Sequence, residues 1–270
     1  MKLKSLLLRS VSGLVYVGLI IGSIFWGQLP FTFLAILFGI LAVIEFENIC
    51  EGYSSSTLLL RLVDIAGVVC LAFAWTGYTL PIWLGFMICR LVMELYAKSS
   101  APIQCLAISM MSQLYIGLPL GIMTFIAYSY GLHFVLAIFL MIWINDTGAF
   151  LVGSSIGKHR LFERISPKKS WEGFFGGLAF NLLAGWLFAI GGGNFWQVKW
   201  PVILWLLLGA LVTIFATWGD LIESLIKRSL NIKDSGKLIP GHGGILDRID
   251  SLLLVMPALF LFLYLCNSLS

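Results

Sequence analysis

Asp220, Glu223, Ser224 and Lys227 follow one another at offsets of 0, 3, 4 and 7, so in a helix they share one face. Two carboxylates with Lys227 and Arg228 a turn later suit a divalent cation and the anionic groups it coordinates. A solvated helix end with a Glu223–Lys227 ion pair is the plainer alternative. Further along, Lys233 to Asp250 reads KDSGKLIPGHGGILDRID, and its glycines and proline make a loop whose backbone can approach a ligand closely. Asp247 and Asp250 then lie three apart where the next helix opens, beside free amides that can meet a phosphate. Asp220, Asp247 and Asp250, interleaved with Lys227, Arg228, Lys233 and Arg248, fit a metal-bridged polyphosphate. Such a site serves phosphoryl or nucleotidyl transfer, where positioning and charge neutralisation matter more than a covalent nucleophile. His242, among the glycines, is placed to contact a phosphate or assist a proton transfer.

A second block precedes this one. Asp146 falls about seven residues, roughly 10 Å, before the end of an apolar run, a depth at which a carboxylate is costly unless it faces a wet cavity or a partner. Asp146 is therefore a functional candidate by default. Ser166, Lys168, Lys169 and Ser170 offer hydroxyls and charge for a triphosphate, helped by Glu172, although membrane topology alone would also place two lysines there. Gly153 to His159 resembles a P-loop but is one residue short and ends in His, so it is set aside. Gly173 and Gly177 read as a helix-packing contact, and His133 as structural. Asp64, and Arg90 with Glu94 at i,i+4, read as structural pairs.

These residues need elements to carry them, and the composition says which. Hydrophobic residues make up 60% of the 270 and charged ones 11%, far from the roughly 25% charged of a soluble domain. The apolar residues come in runs near the length that crosses a bilayer as helix. The expected fold is all-α, one polytopic transmembrane bundle over 1–270 with about nine spans. These are Ser10–Trp26, Phe31–Glu47, Leu62–Leu80, Pro81–Tyr96, Ile103–Tyr128, Leu132–Gly153, Trp171–Gly191, Trp200–Gly219 and Ser251–Leu269. The fifth, with Pro119 between Gly117 and Gly121, is one kinked helix or two short elements. Residues 1–130 read as scaffold, and 131–270 as a catalytic half with polar loops at 154–170 and 220–250.

With the N-terminus in the cytoplasm, Arg61, Lys98, Lys158 to Lys169 and Lys227 to Arg248 all fall on one side. Of 17 Lys and Arg residues, Lys199 lies in an outside loop and Arg90 within a span, as the positive-inside rule expects of nine spans. The net charge of +4 thus orients the protein in a lipid bilayer and does not indicate nucleic acid. Lys2, Lys4 and Arg9 could head a signal peptide, but no small-x-small site follows before Gln28-Leu29-Pro30, so a retained first helix is expected. The five cysteines show no CxxC spacing, which argues against a disulfide framework or a zinc site. No internal repeat is visible, which counts against a transporter built from duplicated halves.

Ser224-Leu-Ile-Lys227-Arg228, then Lys233-Asp234, then His242-Gly243-Gly244-Ile-Leu-Asp247-Arg248-Ile-Asp250 resembles the signature of the phosphatidate cytidylyltransferases, the CDP-diacylglycerol synthases. Asn145 to Phe150 and Ser166 to Gly173 resemble other recurrent segments of that family, so the likeness runs from about Trp143 onward. It implies condensation of CTP with phosphatidic acid to CDP-diacylglycerol and pyrophosphate, assisted by Mg²⁺ and admitting a second cation. By that likeness Asp220, Asp247 and Asp250 would hold the metal, with Asp146 completing its shell. Lys227, Arg228, Lys233, Lys168 and Lys169, with Ser166, Ser224 and Arg248 nearby, would bind the triphosphate or the lipid headgroup, and His242 would assist. A bacterial cell-membrane location with the site facing the cytoplasm is implied, and a homodimer is compatible. The alternatives are another CTP-using lipid kinase of the membrane and, further off, a transporter.

Overall fold

Backbone polar groups in hydrocarbon must be satisfied within their own segment, which favours helix, and the computed structural model is helical almost throughout. It describes residues 2–53, 57–192, 194–236 and 243–268, with side chains from residue 11 onward. In chain order the helices are α1 (Lys2–Trp26), α2 (Gln28–Ile49), α3 (Leu58–Leu71), α4 (Thr79–Tyr96), α5 (Pro102–Met111), α6 (Leu118–Tyr130), α7 (Leu132–Ile156), α8 (Trp171–Gly191), α9 (Val202–Ser229) and α10 (Leu246–Ser268). Between α7 and α8 lies a hairpin of β1 (Arg160–Phe162) and β2 (Ser166–Ser170). Seven helical stretches among the described residues are long and apolar enough to cross a membrane. The protein is an integral membrane protein.

One expected span takes a different form, and for another the structure selects between the two forms expected. The third ends at Leu71, only 14 residues long, or about 21 Å. The chain then turns through Ala74–Thr76 and Gly77, whose φ of 79° suits a residue without a side chain. The Thr79 hydroxyl closes that turn by donating to the Phe73 carbonyl. The fifth span is one helical run from Pro102 to Tyr130, because a π turn at Ser112–Gly117 joins α5 to α6 ahead of Pro119. The π turn brings Gln113 to the Asp64 carbonyl, to which its amide donates at 2.7 Å. The Gln113 amide oxygen accepts from the Trp83 indole at 3.1 Å.

The chain forms two compact units, residues 1–129 with 234–249, and residues 130–233 with 250–270. In the first, α2 packs against α1 and α3, and α3 against α4. In the second, α8 lies between α7 and α9, and small residues set the spacing. A Cβ at Gly173 would stand 2.9 Å from the Ala149 carbonyl, and one at Gly209 would stand 2.6 Å from the Asn181 carbonyl. These helices touch backbone to backbone, as small-residue faces permit in membranes. Inside this packing the Asn181 amide donates to the Thr213 hydroxyl at 2.9 Å.

Candidate functional site

The second unit gathers its polar side chains at one end, where α7 and α9 finish and α8 and α10 begin. Helix α9 continues past the apolar run to Ser229, so the offsets of Asp220, Glu223, Ser224 and Lys227 are realised as one face. Asp220, Glu223 and Asp250 each direct a carboxylate oxygen to within 4.8 Å of the others. A cation with ligand oxygens at roughly 2.0–2.6 Å holds them up to about 5 Å apart, so the three fit a divalent ion. Ser224 donates to Asp220 Oδ1 at 3.2 Å, Lys169 Nζ lies 2.6 Å from Asp220 Oδ2, and Lys227 pairs with buried Glu223. Asp250 lies within Coulombic reach of Asp220, Asp146 and Lys169. Four acidic residues of the second unit thus share one electrostatic neighbourhood.

Beside them opens a cavity of about 620 Å³, within the range that takes a small-molecule substrate. Asp146, Asp220, Lys168, Lys169 and Arg160 supply its charge, and Asn145, Ser154, Ser170 and Thr217 its neutral polar groups. Ala149, Phe150, Leu161 and Phe174 supply apolar wall. Asp220 belongs to both the cavity and the carboxylate cluster.

The hairpin places the basic rim: Arg160 pairs in register with Ser170, and Phe162 with Ser166. Ser170 caps α8 by accepting the Gly173 amide at 3.2 Å, as a serine at that position ordinarily does. One residue into α8, Glu172 accepts the amides of Lys158 at 3.1 Å and His159 at 3.2 Å, while His159 Nδ1 lies 2.6 Å from its other oxygen. Glu172 therefore ties the chain leaving α7 to the start of α8. The segment Gly153 to His159 is no P-loop, since it is helical to Ile156, yet Gly153, Ser154 and Gly157 wall the cavity.

Arg228 is exposed at the end of α9 and donates to the Ile232 carbonyl at 3.3 Å, and Lys233 is exposed. In the first unit, Asp247 Oδ2 accepts the amides of Gly244 at 2.9 Å and Ser235 at 3.3 Å. Arg248 is exposed, and its carbonyl accepts the Tyr16 hydroxyl at 3.1 Å. His242 lies outside the described residues. The helical spacing offers Glu223 to a cation together with Asp220, although the family likeness does not count it among the metal ligands. Arg160 escaped both, since only the hairpin register turns that residue to the cavity.

The model of the cytidylyltransferase family matches residues 7–266. The chain belongs to that family. Among curated family members it is 34% identical to phosphatidate cytidylyltransferase of Bacillus subtilis (strain 168) over 254 residues, 88% of this chain and 90% of that one. It is 43% identical over 160 residues to the protein of that name from Staphylococcus aureus (strain COL), a stretch covering 58% of each chain. The Staphylococcus saprophyticus protein of that name is 45% identical over 137 residues, half of each. The shorter alignments therefore span little more than half the length of those relatives.

Proposed function

We propose that this protein is a phosphatidate cytidylyltransferase, condensing CTP with phosphatidic acid to give CDP-diacylglycerol and pyrophosphate. The observation that carries the reading is the shared position of Asp220, in the wall of a cavity with a basic rim and in a three-carboxylate cluster. A basic cavity suits a triphosphate, and converged carboxylates suit the cation that travels with one. Family membership supplies the nucleotide, and the curated relatives' name supplies the lipid acceptor.

Asp220, Glu223 and Asp250 would hold Mg²⁺, with Asp146 beside them, and the bound ion would neutralise charge on the reacting phosphates. Lys168, Arg160 and Lys169 bind the nucleotide phosphates from the cavity rim, and the N-terminus of α8 adds free amides near Ser170. Lys227 supplies the counter-charge of Glu223, and Ser224 orients Asp220. Lys233, Arg228 and Arg248, all exposed, are assigned to the lipid headgroup side together with Ser166. Asp247 fixes the first turn of α10, three residues before Asp250, and His242 assists.

A phosphatidate oxygen attacks the α-phosphorus of CTP in line, and the bond to the bridging oxygen of pyrophosphate breaks. The attacking phosphate monoester is already ionised, its second pKa being about 6, so no strong general base is required. The site faces the cytoplasm, with the N-terminus on that side, in a bacterial cell membrane. There the acyl chains stay in lipid while CTP arrives from water. Nine crossings are assigned by adding α1 and α3, the latter extended by the turn to Gly77.

The test is the fate of label. With purified protein, phosphatidate vesicles and Mg²⁺, CTP labelled at the α-phosphorus should transfer its label to lipid, while γ-label appears in pyrophosphate. Label from the γ position entering the lipid would replace this reading with a CTP-dependent lipid kinase.

A further inference from the structure

Glu45 lies near the end of α2, is 5% exposed and has apolar neighbours in sequence. A carboxylate buried in this way requires donors. Two short limbs of the chain in the first unit provide them, 190 and 200 residues away in sequence. The Ser235 hydroxyl donates to Glu45 Oε1, and the Ile245 amide donates to Oε2 at 2.8 Å. Glycines line the carboxylate on both limbs. A Cβ at Gly236 would stand 2.8 Å from Glu45 Cδ, and one at Gly244 would overlap the carboxylate itself.

The same limbs are joined a second time by Asp247. Ser235 gives its hydroxyl to Glu45 and its amide to Asp247, while Gly244 gives its amide to Asp247 and its neighbour Ile245 gives one to Glu45. Two carboxylates thus staple residues 235 and 244–245 together. One of them comes from α2, an element that the signature segment does not contain. Gly243, with φ at 83°, makes the turn into the second limb that a side chain would strain.

We propose that Glu45 is a positioning residue. It closes the neck of the 234–249 segment and so fixes where α10 begins, and with it the orientation of Asp247 and the residues that follow, while touching neither substrate nor cation itself. The neck stands on the geometry alone, but what it serves rests on the cytidylyltransferase reading.

Hydrogen exchange read by mass spectrometry on the full chain in detergent micelles tests the neck without activity. Glu45→Ala should speed exchange in peptides covering 234–236 and 243–247 by about tenfold, since a buried amide loses its acceptor, and Glu45→Gln, which keeps a carbonyl for Ile245, should restore most of the protection. In the transfer assay, Glu45→Ala should lower kcat about tenfold with KM for CTP unchanged, and Glu45→Gln should recover it. Unchanged exchange and kcat in Glu45→Ala overturn the proposal, as does loss of kcat that only tracks loss of folded protein.

Gly244→Ala gives an independent arm. Its methyl group meets the Glu45 carboxylate, so the substitution should slow turnover strongly in the wild type and weakly in Glu45→Ala. Additive losses in that double-mutant cycle overturn the proposal. If the wild type transfers no cytidylyl group while the exchange result holds, the catalytic reading fails and the neck stands.

Discussion

Each unit holds a group of buried or half-buried charges, and the two are surrounded differently. In the first, the Arg90 guanidinium, 1% exposed, lies between carboxylates, with Nη1 2.7 Å from Glu94 and Nε 3.4 Å from Asp64. Asp64 also accepts the Ser109 hydroxyl, and Glu47 lies 3.4 Å from Arg61. Glu47 also lies within Coulombic reach of Asp64, so two of these carboxylates are neighbours, with Arg61 and Arg90 as their counter-charges. In the second unit Asp220, Glu223 and Asp250 converge on one another, while Lys169 and Lys227 stand at the margin of the cluster. In both groups carboxylates outnumber the cations that pair with them. Surroundings separate them: in the first, a buried guanidinium lies between Glu94 and Asp64, whereas in the second the carboxylates converge beside a cavity, where a bound cation would relieve their repulsion.

Substitutions can break that contrast. Asp220→Asn should lower turnover by about 10³-fold, the scale seen when a preorganised electrostatic group is lost, while the protein stays folded. The checks are transfer rate and thermal unfolding in detergent, and near wild-type turnover would remove Asp220 from the metal set. Arg90→Met should do the reverse. It leaves Asp64 and Glu94 buried without their counter-charge and should cost about 3 kcal/mol of stability, read from the unfolding midpoint, with KM for CTP unchanged in the folded fraction. The smallest effect is expected of Lys168→Ala, which should raise KM for CTP about tenfold, the worth of one charge-assisted hydrogen bond, at constant kcat. A kinetically silent Lys168→Ala would leave that lysine as a topology residue.

What could be read from the chain follows the range of the interactions. Asp220, Glu223, Ser224 and Lys227 were legible because one helix carries all four, and helical spacing is written in the sequence. The depth of Asp146 in an apolar run was legible for the same reason. The spacing of Asp247 to Asp250 is written in the sequence, while its contact with the Ser235 amide, twelve residues away, is encoded by no periodicity. Glu45 left a weak signal, a carboxylate among apolar residues in a span, and its partners lie 190 or more residues away. Arg160 depended on a hairpin, hard to foresee in a chain otherwise patterned for helix. The third span is expected to run to Leu80, whereas its helix ends at Leu71 and the weakly polar stretch from Trp75 to Thr79 forms a turn.

The π turn at Ser112–Gly117 has a consequence for how this chain tolerates changes of length. A π turn holds one residue more than an α turn, so deleting a single residue there lets the helix close up into regular geometry without losing continuity. The deletion would remove the extra residue that turns Gln113 toward Asp64 and Trp83, while α6 would keep nearly its orientation relative to α5, since a π turn and an α turn each close one full turn. Insertions and deletions elsewhere in a spanning helix shift its register against lipid. Here, one position is available at which length can change while the helix still spans, and the change falls on the contacts between helices.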